Sequence, residues 1–472
     1  MYAAFAPHIE ARLDPVTGDE PFYLMTVHNI LAGRGLNEAG SWANRDYLAE
    51  FYPRLPLPAD WQGWDAYPKV LPPHNSMGTI PPGLYSKHGL GLALLILPFY
   101  AAGKRTFIVL FLAGLGALLA ANIFLLAYEA SAKRWVGLAV WPAFSFTNPL
   151  MSYSYLIFPE IPAALFTLYA FRRIRQPANN GWQTAGIALS IATLPWLHAR
   201  FAPIAAALGA YWLWKHFWLA PRLSSASIPP LLLPSLSAAA LLDFYYYFYR
   251  SFLPNAQDHG GTSNLLGTLN GLAGLFLDQQ WGLLVAAPVY LLALAAIIAV
   301  ALRWCLHAGF RARHSSAAWY LLVTVPYFLL IANYRLWWGE WCPPARYPVA
   351  ILPLLALPLA IMAARAPVLS LSLGIPLALA SWAVMGCFLS DPQLMYNQPT
   401  GQAELFGWLA DRTALDLTTL VPSFVVPSSS AAGLATRWIA GAGLLTAGIG
   451  LILTWGSNVT TASRVVALPD AA

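Results

Sequence analysis

Charged residues are scarce in this chain of 472 residues, at 10% of the total. A soluble globular domain carries roughly 25%. Lysine is especially rare, with five residues against 21 arginines, whereas hydrophobic residues make up 58%. A chain with so little charge cannot cover a water-facing surface, so the composition excludes soluble enzymes and disordered proteins. It predicts a polytopic membrane protein, whose partner is the lipid bilayer.

Cysteine and the common catalytic motifs are also lacking. Three cysteines stand far apart at 305, 342 and 387, which excludes a disulfide scaffold and gives no metal-ligand spacing. No HExxH, P-loop, GxSxG or GxGxxG pattern occurs in a suitable context, which argues against soluble nucleotide chemistry. The first residues also lack the pattern of a secretory signal. The net charge of +6 comes from short dispersed clusters, which are not typical of nucleic-acid binding.

Eleven apolar runs follow a more polar front segment. Residues 1–88 hold 15 of the 46 charged residues and contain no membrane-spanning stretch. A spanning helix needs about 20 residues, so the shorter runs must borrow flanking residues. Helices satisfy their own backbone in lipid, which predicts an all-α fold of about eleven transmembrane helices. The runs cover 106–128, 135–150, 156–171, 182–197, 199–219, 229–252, 282–302, 317–333, 346–363, 367–389 and 433–455.

One shorter run decides the predicted topology. Residues 90–103 are apolar for only 14 residues before Lys104-Arg105, which favours an interfacial helix over a span. With this helix on the surface, the arginine-rich clusters between spans all fall on the cytoplasmic side, as the positive-inside rule requires. The front segment then lies outside the cytoplasm. If residues 90–103 crossed the bilayer instead, the front segment would be cytoplasmic.

This topology predicts four parts of the chain. Residues 1–105 form a large extracytoplasmic first loop with surface helices, and residues 106–389 form the transmembrane core. Residues 390–432 form an outer loop, and residues 433–472 form a final transmembrane helix and tail. The expected location is the inner (plasma) membrane of a bacterium, with the candidate site on its outer face.

The front segment supplies the first candidate site residues. Asp19 and Glu20 precede a short helical pattern and could act as a general base, or they could simply stabilise the start of that helix. Lys87 lies just before the interfacial run and could hold a lipid-linked phosphate, or it could snorkel to the phosphates of the bilayer.

Four further candidates lie at predicted outer ends of spans. Glu160 follows Pro159 at a helix start, where an acid is costly and often functional, although it also suits the helix dipole. His198 and Arg200 lie at a hairpin tip and could bind phosphate or pair with Glu160. Arg346 lies where a span begins, and its guanidinium could bind phosphate in a fork.

Other polar residues are open to two interpretations. Asp278 and Gln279 follow an amphipathic run and could face the same cavity or lie in a solvated loop. Asp243 lies within a predicted span and is unassigned. Several acids would converge on the predicted site, which would suit a divalent metal, but no ligand spacing supports one. No other cofactor is expected.

Taken in order, these pieces resemble the C-type membrane glycosyltransferases, the GT-C superfamily. They are similar in style to the protein O-mannosyltransferases and the lipid A aminoarabinose transferases, and look like members of a poorly characterised bacterial branch. The resemblance covers about residues 14–363 and depends on order and spacing. It is carried by GDEPFYLMTVHNILAGRGL, NRDYLAEFYP, LYSKHGLGLALLILPFYAAG, NPLMSYSYLIFPEIPAAL, PWLHARFA, LDQQWGLLVAAPVYLLAL and WCPPARYPVAILPLLALP.

The resemblance implies transfer of a sugar from a polyprenyl-phosphate donor to an extracytoplasmic glycan, lipid or protein, usually with inversion. Asp19 matches the family's proposed base, with Glu20 beside it. Lys87 and Glu160 match the cation and second acid, and Arg346 falls near residues that hold the carrier phosphate. The family begins with a span before the acid motif, of which residues 1–7 would be a remnant. Residues beyond about 390 match nothing in the family.

Two other classes of function fit the same sequence. A transporter or lipid flippase would need ionisable residues at mid-bilayer and broken helices, and only Asp243 clearly qualifies. A non-catalytic subunit of an envelope-assembly complex would leave Asp19, Lys87 and Glu160 far apart. The glycosyltransferase hypothesis instead predicts that the front segment folds over the outer mouth of the bundle and meets Glu160 and Arg346 in a shared crevice.

Overall fold

The computed structural model describes residues 2–13, 16, 18–50, 75–79, 82–219, 228–252, 261–314, 316–414, 416–426 and 431–455. Met1 and residues 51–74 of the predicted first loop therefore lie outside the described residues, as do residues 456–472 of the predicted tail.

Helices make up most of the described chain. Each of the eleven predicted apolar runs contains a helix. Short 3-10 or π turns lie at 199–201, 215–219, 347–350, 352–355 and 392–395. The α-helices are α1 (Tyr2–Arg12), α2 (Glu20–Leu31), α3 (Ala39–Ala43), α4 (Asp46–Glu50), α5 (Leu90–Ser131), α6 (Arg134–Ser145), α7 (Leu150–Tyr153), α8 (Glu160–Arg175), α9 (Gly181–Leu197), α10 (Ala202–Trp214), α11 (Ile228–Tyr249), α12 (Leu265–Leu277), α13 (Leu283–Ala286), α14 (Tyr290–Leu306), α15 (Ala308–Arg313), α16 (Ser316–Asn333), α17 (Ala356–Ala363), α18 (Pro367–Ser390), α19 (Glu404–Thr413) and α20 (Ala431–Trp455).

Four of the described helices are long and apolar enough to cross a bilayer, namely α5, α16, α18 and the stretch Gly433–Thr454 of α20. Other apolar helices are shorter, including α12 and α14. Large apolar side chains such as Val368, Leu379 and Leu444 are exposed along α18 and α20, as expected of helices that face lipid. The structure thus supports membrane association, and eleven crossings stay a prediction.

The long helix α5 breaks where the predicted interfacial run ends. Gly103 and Lys104 have non-helical backbone angles, and Lys104 has a positive φ of 55°. A Cβ on Gly103 would lie 2.3 Å from the ring of Phe107, so a larger residue at this position would displace that ring. The rings of Phe99 and Phe111 then stack with centroids 3.9 Å apart. The break divides residues 90–102 from the rest of α5.

The secondary structure of the described residues is almost entirely helical, as predicted, apart from one antiparallel hairpin. Strands β1 (Asn75–Thr79) and β2 (Pro82–Ser86) pair with Asn75 opposite Ser86. The Leu84 backbone also bonds outside the hairpin, donating to Asn37 Oδ1 at 3.0 Å and accepting from Glu38 N at 2.8 Å. This segment is polar and rich in glycine and proline, which disfavours helix. The hairpin delivers Lys87 and His88 to one end of the bundle.

Helix α8 lies in the interior, with most of its side chains buried. Helix α1 packs against α5, and the Tyr2 hydroxyl donates to the carbonyl of Ser145. The first span that the resemblance implies before the acid pair stays a prediction. Since α8 begins at Glu160 with Pro159 at its N-cap, the helix start predicted from Pro159 is confirmed, and it fixes Glu160 at the end of the bundle where the hairpin also arrives.

Candidate active site

A cavity of about 700 Å³ opens at this end of the bundle. Its wall combines the start of α2, the residues after β2, the turn between α9 and α10, and the loop after α16. Of the seven candidate residues from the sequence, five line it: Asp19, Lys87, His198, Arg200 and Arg346. Glu20 and Glu160 are not among the described residues that line the cavity.

A chain of ion pairs forms one wall of this cavity. The Nη2 group of Arg346 contacts Asp19 Oδ2, and Arg346 Nε donates to Glu160 Oε1 at 3.0 Å. The same Glu160 oxygen accepts from Arg200 Nη2 at 2.5 Å. Glu160 is fully buried and Arg346 is 6% exposed. Such burial is tolerable only because each charge is paired, and the arrangement joins residues from four distant parts of the chain.

The local backbone explains how Asp19 reaches Arg346. Gly18 has a positive φ of 59°, and a Cβ there would lie 2.8 Å from the carbonyl oxygen of Trp341. Glycine therefore allows the start of α2 to touch the loop that carries Arg346. Asp19 is the N-cap residue of α2 but makes no side-chain cap hydrogen bond. Its carboxylate serves the ion pair instead of the helix start.

The loop after α16 is held in an unusual conformation. Gly339, Glu340 and Ala345 all have positive φ, at 87°, 60° and 58°. Left-handed backbone at two non-glycine residues is strained, and such strain is often found at functional sites. The Gly339 carbonyl accepts from Arg346 Nη1 at 3.2 Å. This bond joins the strained turn directly to the arginine of the site.

Buried side chains from the interior of the bundle hold the same loop in place. Tyr153 donates through its hydroxyl to the Pro343 carbonyl at 2.8 Å, and the side chain of Asn148 donates to the Pro344 carbonyl at 3.2 Å. Both donors are buried, so the loop rests on the packed core. Arg346 is thereby held by rigid neighbours, as preorganised binding of a charged ligand requires.

Aromatic rings complete the surroundings of the two arginines. The guanidinium of Arg346 lies 4.6 Å from the ring centroid of Phe158, and that of Arg200 lies 4.8 Å from Tyr347. Stacking of this kind suits arginine, whose flat face is weakly hydrated, better than lysine. It orients the planes of both guanidinium groups.

His198 has a different role from the cationic one that phosphate binding suggested. Its Nδ1 accepts the backbone N–H of Arg200 at 3.2 Å, which places the ring proton on Nε2. Burial, together with the positive charge of Arg200, holds the pKa of His198 well below its usual value. The ring is therefore neutral at pH 7, and it can offer an N–H donor to a ligand but no charge.

The two other acids, Glu20 and Glu160, lie outside the lining of the cavity. Glu20 is fully buried, accepts the backbone N–H of Ile157 at 2.8 Å, and lies 3.5 Å from Arg105 Nη2. It ties α2 to the turn before α8 instead of entering the cavity. Glu160 is fully buried behind the cavity wall and pairs with Arg200 and Arg346, and its role as a second acid stays a prediction.

Sequence reasoning missed two lining residues. His88 stacks on Phe22 with centroids 5.4 Å apart, and its Nδ1 lies 3.9 Å from Asp19 Oδ2. Glu340 lines the cavity, and burial followed by the charge of Asp19 raises its pKa. The only signals were that His88 follows Lys87 and that Glu340 lies in a polar aromatic loop. Neither signal separates them from ordinary surface residues.

Asp278 and Gln279 neither face the cavity nor lie in a solvated loop. Asp278 is fully buried and accepts backbone N–H groups of Gln280, Trp281 and Phe424 at 2.8, 3.0 and 2.7 Å. Gln279 donates to the Val421 carbonyl at 3.0 Å. We call Asp278, Gln279 and Gln280 the loop clasp, because they hold parts of residues 390–426 against the bundle.

The clasp and the candidate site are neighbours. The backbone N–H of Ala345 donates to the Trp281 carbonyl at 3.0 Å, and Tyr396 of the outer loop stacks on Trp341, with centroids 5.8 Å apart.

Within the described ranges, no group of three or more His, Cys, Asp or Glu residues is placed to hold a metal ion.

Comparison with protein-family models, with curated proteins and with solved structures gives no match for this chain.

Proposed function

We propose that the protein is a glycosyltransferase, which moves a sugar from a polyprenyl-phosphate donor to an extracytoplasmic acceptor. The observation that carries this proposal is the pairing of Asp19 with Arg346 on the wall of a cavity that Lys87 also lines. A carboxylate and two cations in one cavity supply what a phosphate-leaving displacement needs, namely a base and a site for negative charge.

The cations act on the leaving group. Breaking the bond between the anomeric carbon and the phosphate oxygen leaves its electron pair on the phosphate. Arg346 and Lys87 stabilise this charge, and each preplaced donor is worth roughly a few kcal/mol in the transition state. The Nη groups of Arg346 suit phosphate because guanidinium binds two oxygens in a fork. His198 adds a neutral N–H donor.

Asp19 acts on the acceptor. The acceptor oxygen attacks the anomeric carbon from the face opposite the phosphate, which inverts the configuration, and its proton passes to the Asp19 carboxylate. General-base assistance of this kind contributes about 10²–10⁴-fold. The carrier phosphate competes with Asp19 for Arg346 Nη2. Once the phosphate takes that group, Asp19 loses its counter-ion and becomes the stronger base.

The place of the cavity suits a lipid-linked donor. Leu330 and Ile331, near the end of α16, line it, and Leu330 is 43% exposed. Since α16 is apolar enough to cross the bilayer, a polyprenyl tail can lie along its surface while the phosphate enters the cavity. An outer-face site, an inner-membrane location and about eleven crossings belong to this proposal.

The test is a transfer assay with the purified full-length protein, labelled polyprenyl-phosphate sugars and cell-envelope fractions. We expect transfer by the wild type and a loss of about 10²–10⁴-fold in Asp19→Asn. Asp411→Asn, which changes an exposed acid of α19, is the matched control and should retain full turnover. Normal transfer by Asp19→Asn would refute the base. Movement of labelled carrier between leaflets without transfer would favour a flippase.

A further inference from the structure

A second cavity lies at the opposite end of α16. It measures about 210 Å³ and lies between α14, α16 and α17. Helix α16 has 18 residues, so its two ends are separated by about 27 Å at 1.5 Å per residue. Tyr320 and Leu321 line this second cavity, whereas Leu330 and Ile331 line the candidate active site. The two cavities are therefore separate.

The surface of the second cavity is almost wholly apolar, although His314 and Ser316 are among its lining residues. Ile297, Val300 and Leu357 are among the lining residues. The Trp304 indole N–H and the Tyr320 hydroxyl are buried without a hydrogen-bond partner, and the Tyr320 side chain is 5% exposed. An indole N–H can only donate, and an unsatisfied buried donor is costly. Neither donor reaches the cavity surface, which is almost wholly apolar and therefore fits the hydrocarbon part of a ligand.

Two arginines contact residues that line this cavity. Arg311 stacks on Trp304 with its guanidinium carbon 5.6 Å from the ring centroid, and its Nη1 donates to the Trp304 carbonyl. Arg365 Nη2 lies 3.3 Å from Nε2 of the lining residue His314. None of the described acidic residues forms a salt bridge with Arg311. The neighbourhood of the cavity thus carries positive charge and suits an anionic headgroup.

We propose that this cavity binds an anionic glycerophospholipid of the surrounding bilayer. Part of one acyl chain lies against the apolar wall, and the headgroup phosphate lies against Arg311 and Arg365. Lipid can enter sideways, since Leu321 lines the cavity and is 42% exposed. This inference stands independently of the proposed transfer reaction.

Cys305 provides the probe, because it lines the cavity and is exposed, whereas Cys342 is buried. Full-length protein carrying Cys387→Ser, in detergent, is titrated with phosphatidylglycerol or with phosphatidylcholine of the same acyl chains. Labelling of Cys305 by a maleimide is then timed, and bound lipid is counted by native mass spectrometry. We expect phosphatidylglycerol to slow labelling at concentrations about tenfold below those of phosphatidylcholine, as charged hydrogen bonds would give.

Variants separate the contacts. Arg311→Gln with Arg365→Gln should abolish the preference for phosphatidylglycerol. Arg437→Gln, an exposed arginine on α20, is the control and should behave as wild type. Equal protection by the two lipids in the unmutated cavity, or an unchanged preference in the double arginine variant, would overturn the proposal.

Discussion

Two neighbouring groups of buried polar side chains use their carboxylates in different ways. In the loop clasp, Asp278 is satisfied by backbone N–H groups, which cannot leave without unfolding the outer loop. In the candidate site, Asp19 and Glu160 are satisfied by arginine side chains at the wall of a cavity. A carboxylate held by backbone is fixed, whereas one paired with a side chain can exchange its partner for a ligand. The comparison predicts that Asp278 is structural and that Asp19 can exchange its partner for a ligand.

The largest expected effect comes from removing the ion pairs of Glu160 in the candidate site. Glu160→Gln removes the buried anion that holds Arg200 and Arg346, which leaves positive charge uncompensated in the interior. We expect a loss of about 3–5 kcal/mol in the free energy of unfolding. Thermal unfolding of the detergent-purified protein, followed by tryptophan fluorescence, measures it. A variant with wild-type stability would show that Glu160 does not hold the two arginines.

Replacing Arg346 by lysine sharpens the assignment of the phosphate site. Lysine keeps the charge but loses the planar fork that contacts Asp19 and Glu160 together. We expect transfer to fall by about two orders of magnitude, since one preplaced donor contributes a few kcal/mol. The assay is turnover with labelled polyprenyl-phosphate sugar, with folding checked by thermal unfolding. Full activity in the lysine variant would show that the site needs only the positive charge of Arg346 and not its planar fork.

A smaller effect is expected in the clasp. Burial raises the pKa of Asp278 despite its backbone hydrogen bonds, so its negative charge is not itself a source of stability. Asp278→Asn leaves no unpaired charge, and we expect a loss of about 1–3 kcal/mol. Stability and turnover of the folded protein are measured together. If Asp278→Asn abolished transfer in well-folded protein, the clasp would have to be counted as part of the site.

The smallest effect is a pH dependence that His198 contributes. Because the pKa of His198 is lowered in the folded state, the unfolded chain binds its proton first as pH falls. Its contribution to stability is complete above the unfolded value of about 6.5 and declines below it, by at most about 1.4 kcal/mol per pH unit. Between pH 7.5 and 5, the temperature of thermal unfolding should therefore fall more steeply in wild type than in His198→Gln. Parallel curves would contradict a neutral, buried ring.

Much of this architecture could be predicted from local sequence. Each apolar run that the sequence predicted to be helical contains a helix. The pair Lys104-Arg105 lies at the break in α5. An acid pair in the front segment pointed to Asp19, and the cost of charge at predicted span ends pointed to Glu160, Arg200 and Arg346, which the structure brings together. These predictions depend on hydrophobicity and on the cost of charge near lipid, and both act over a few residues.

Other features leave no local trace. Glu20 follows Asp19 directly, but one helical step turns its side chain by about 100°, towards Ile157 instead of the cavity. The clasp joins Gln279 to Val421 across 142 positions, and no periodicity announces such a contact. The approach of His88 to Asp19 likewise depends on how the hairpin packs. Side-chain direction and long-range docking therefore had to come from the structure.

The exchange of Arg346 between Asp19 and the carrier phosphate is the central claim, and one binding measurement tests it directly. Polyprenyl phosphate without sugar is titrated into wild type and Asp19→Asn, with Arg346→Gln as the control that should lose binding. Since Asp19 competes for Arg346 and repels the phosphate, we predict that Asp19→Asn binds the carrier about tenfold more tightly while transferring sugar about 10²–10⁴-fold more slowly. Weaker binding by Asp19→Asn than by wild type would contradict the account.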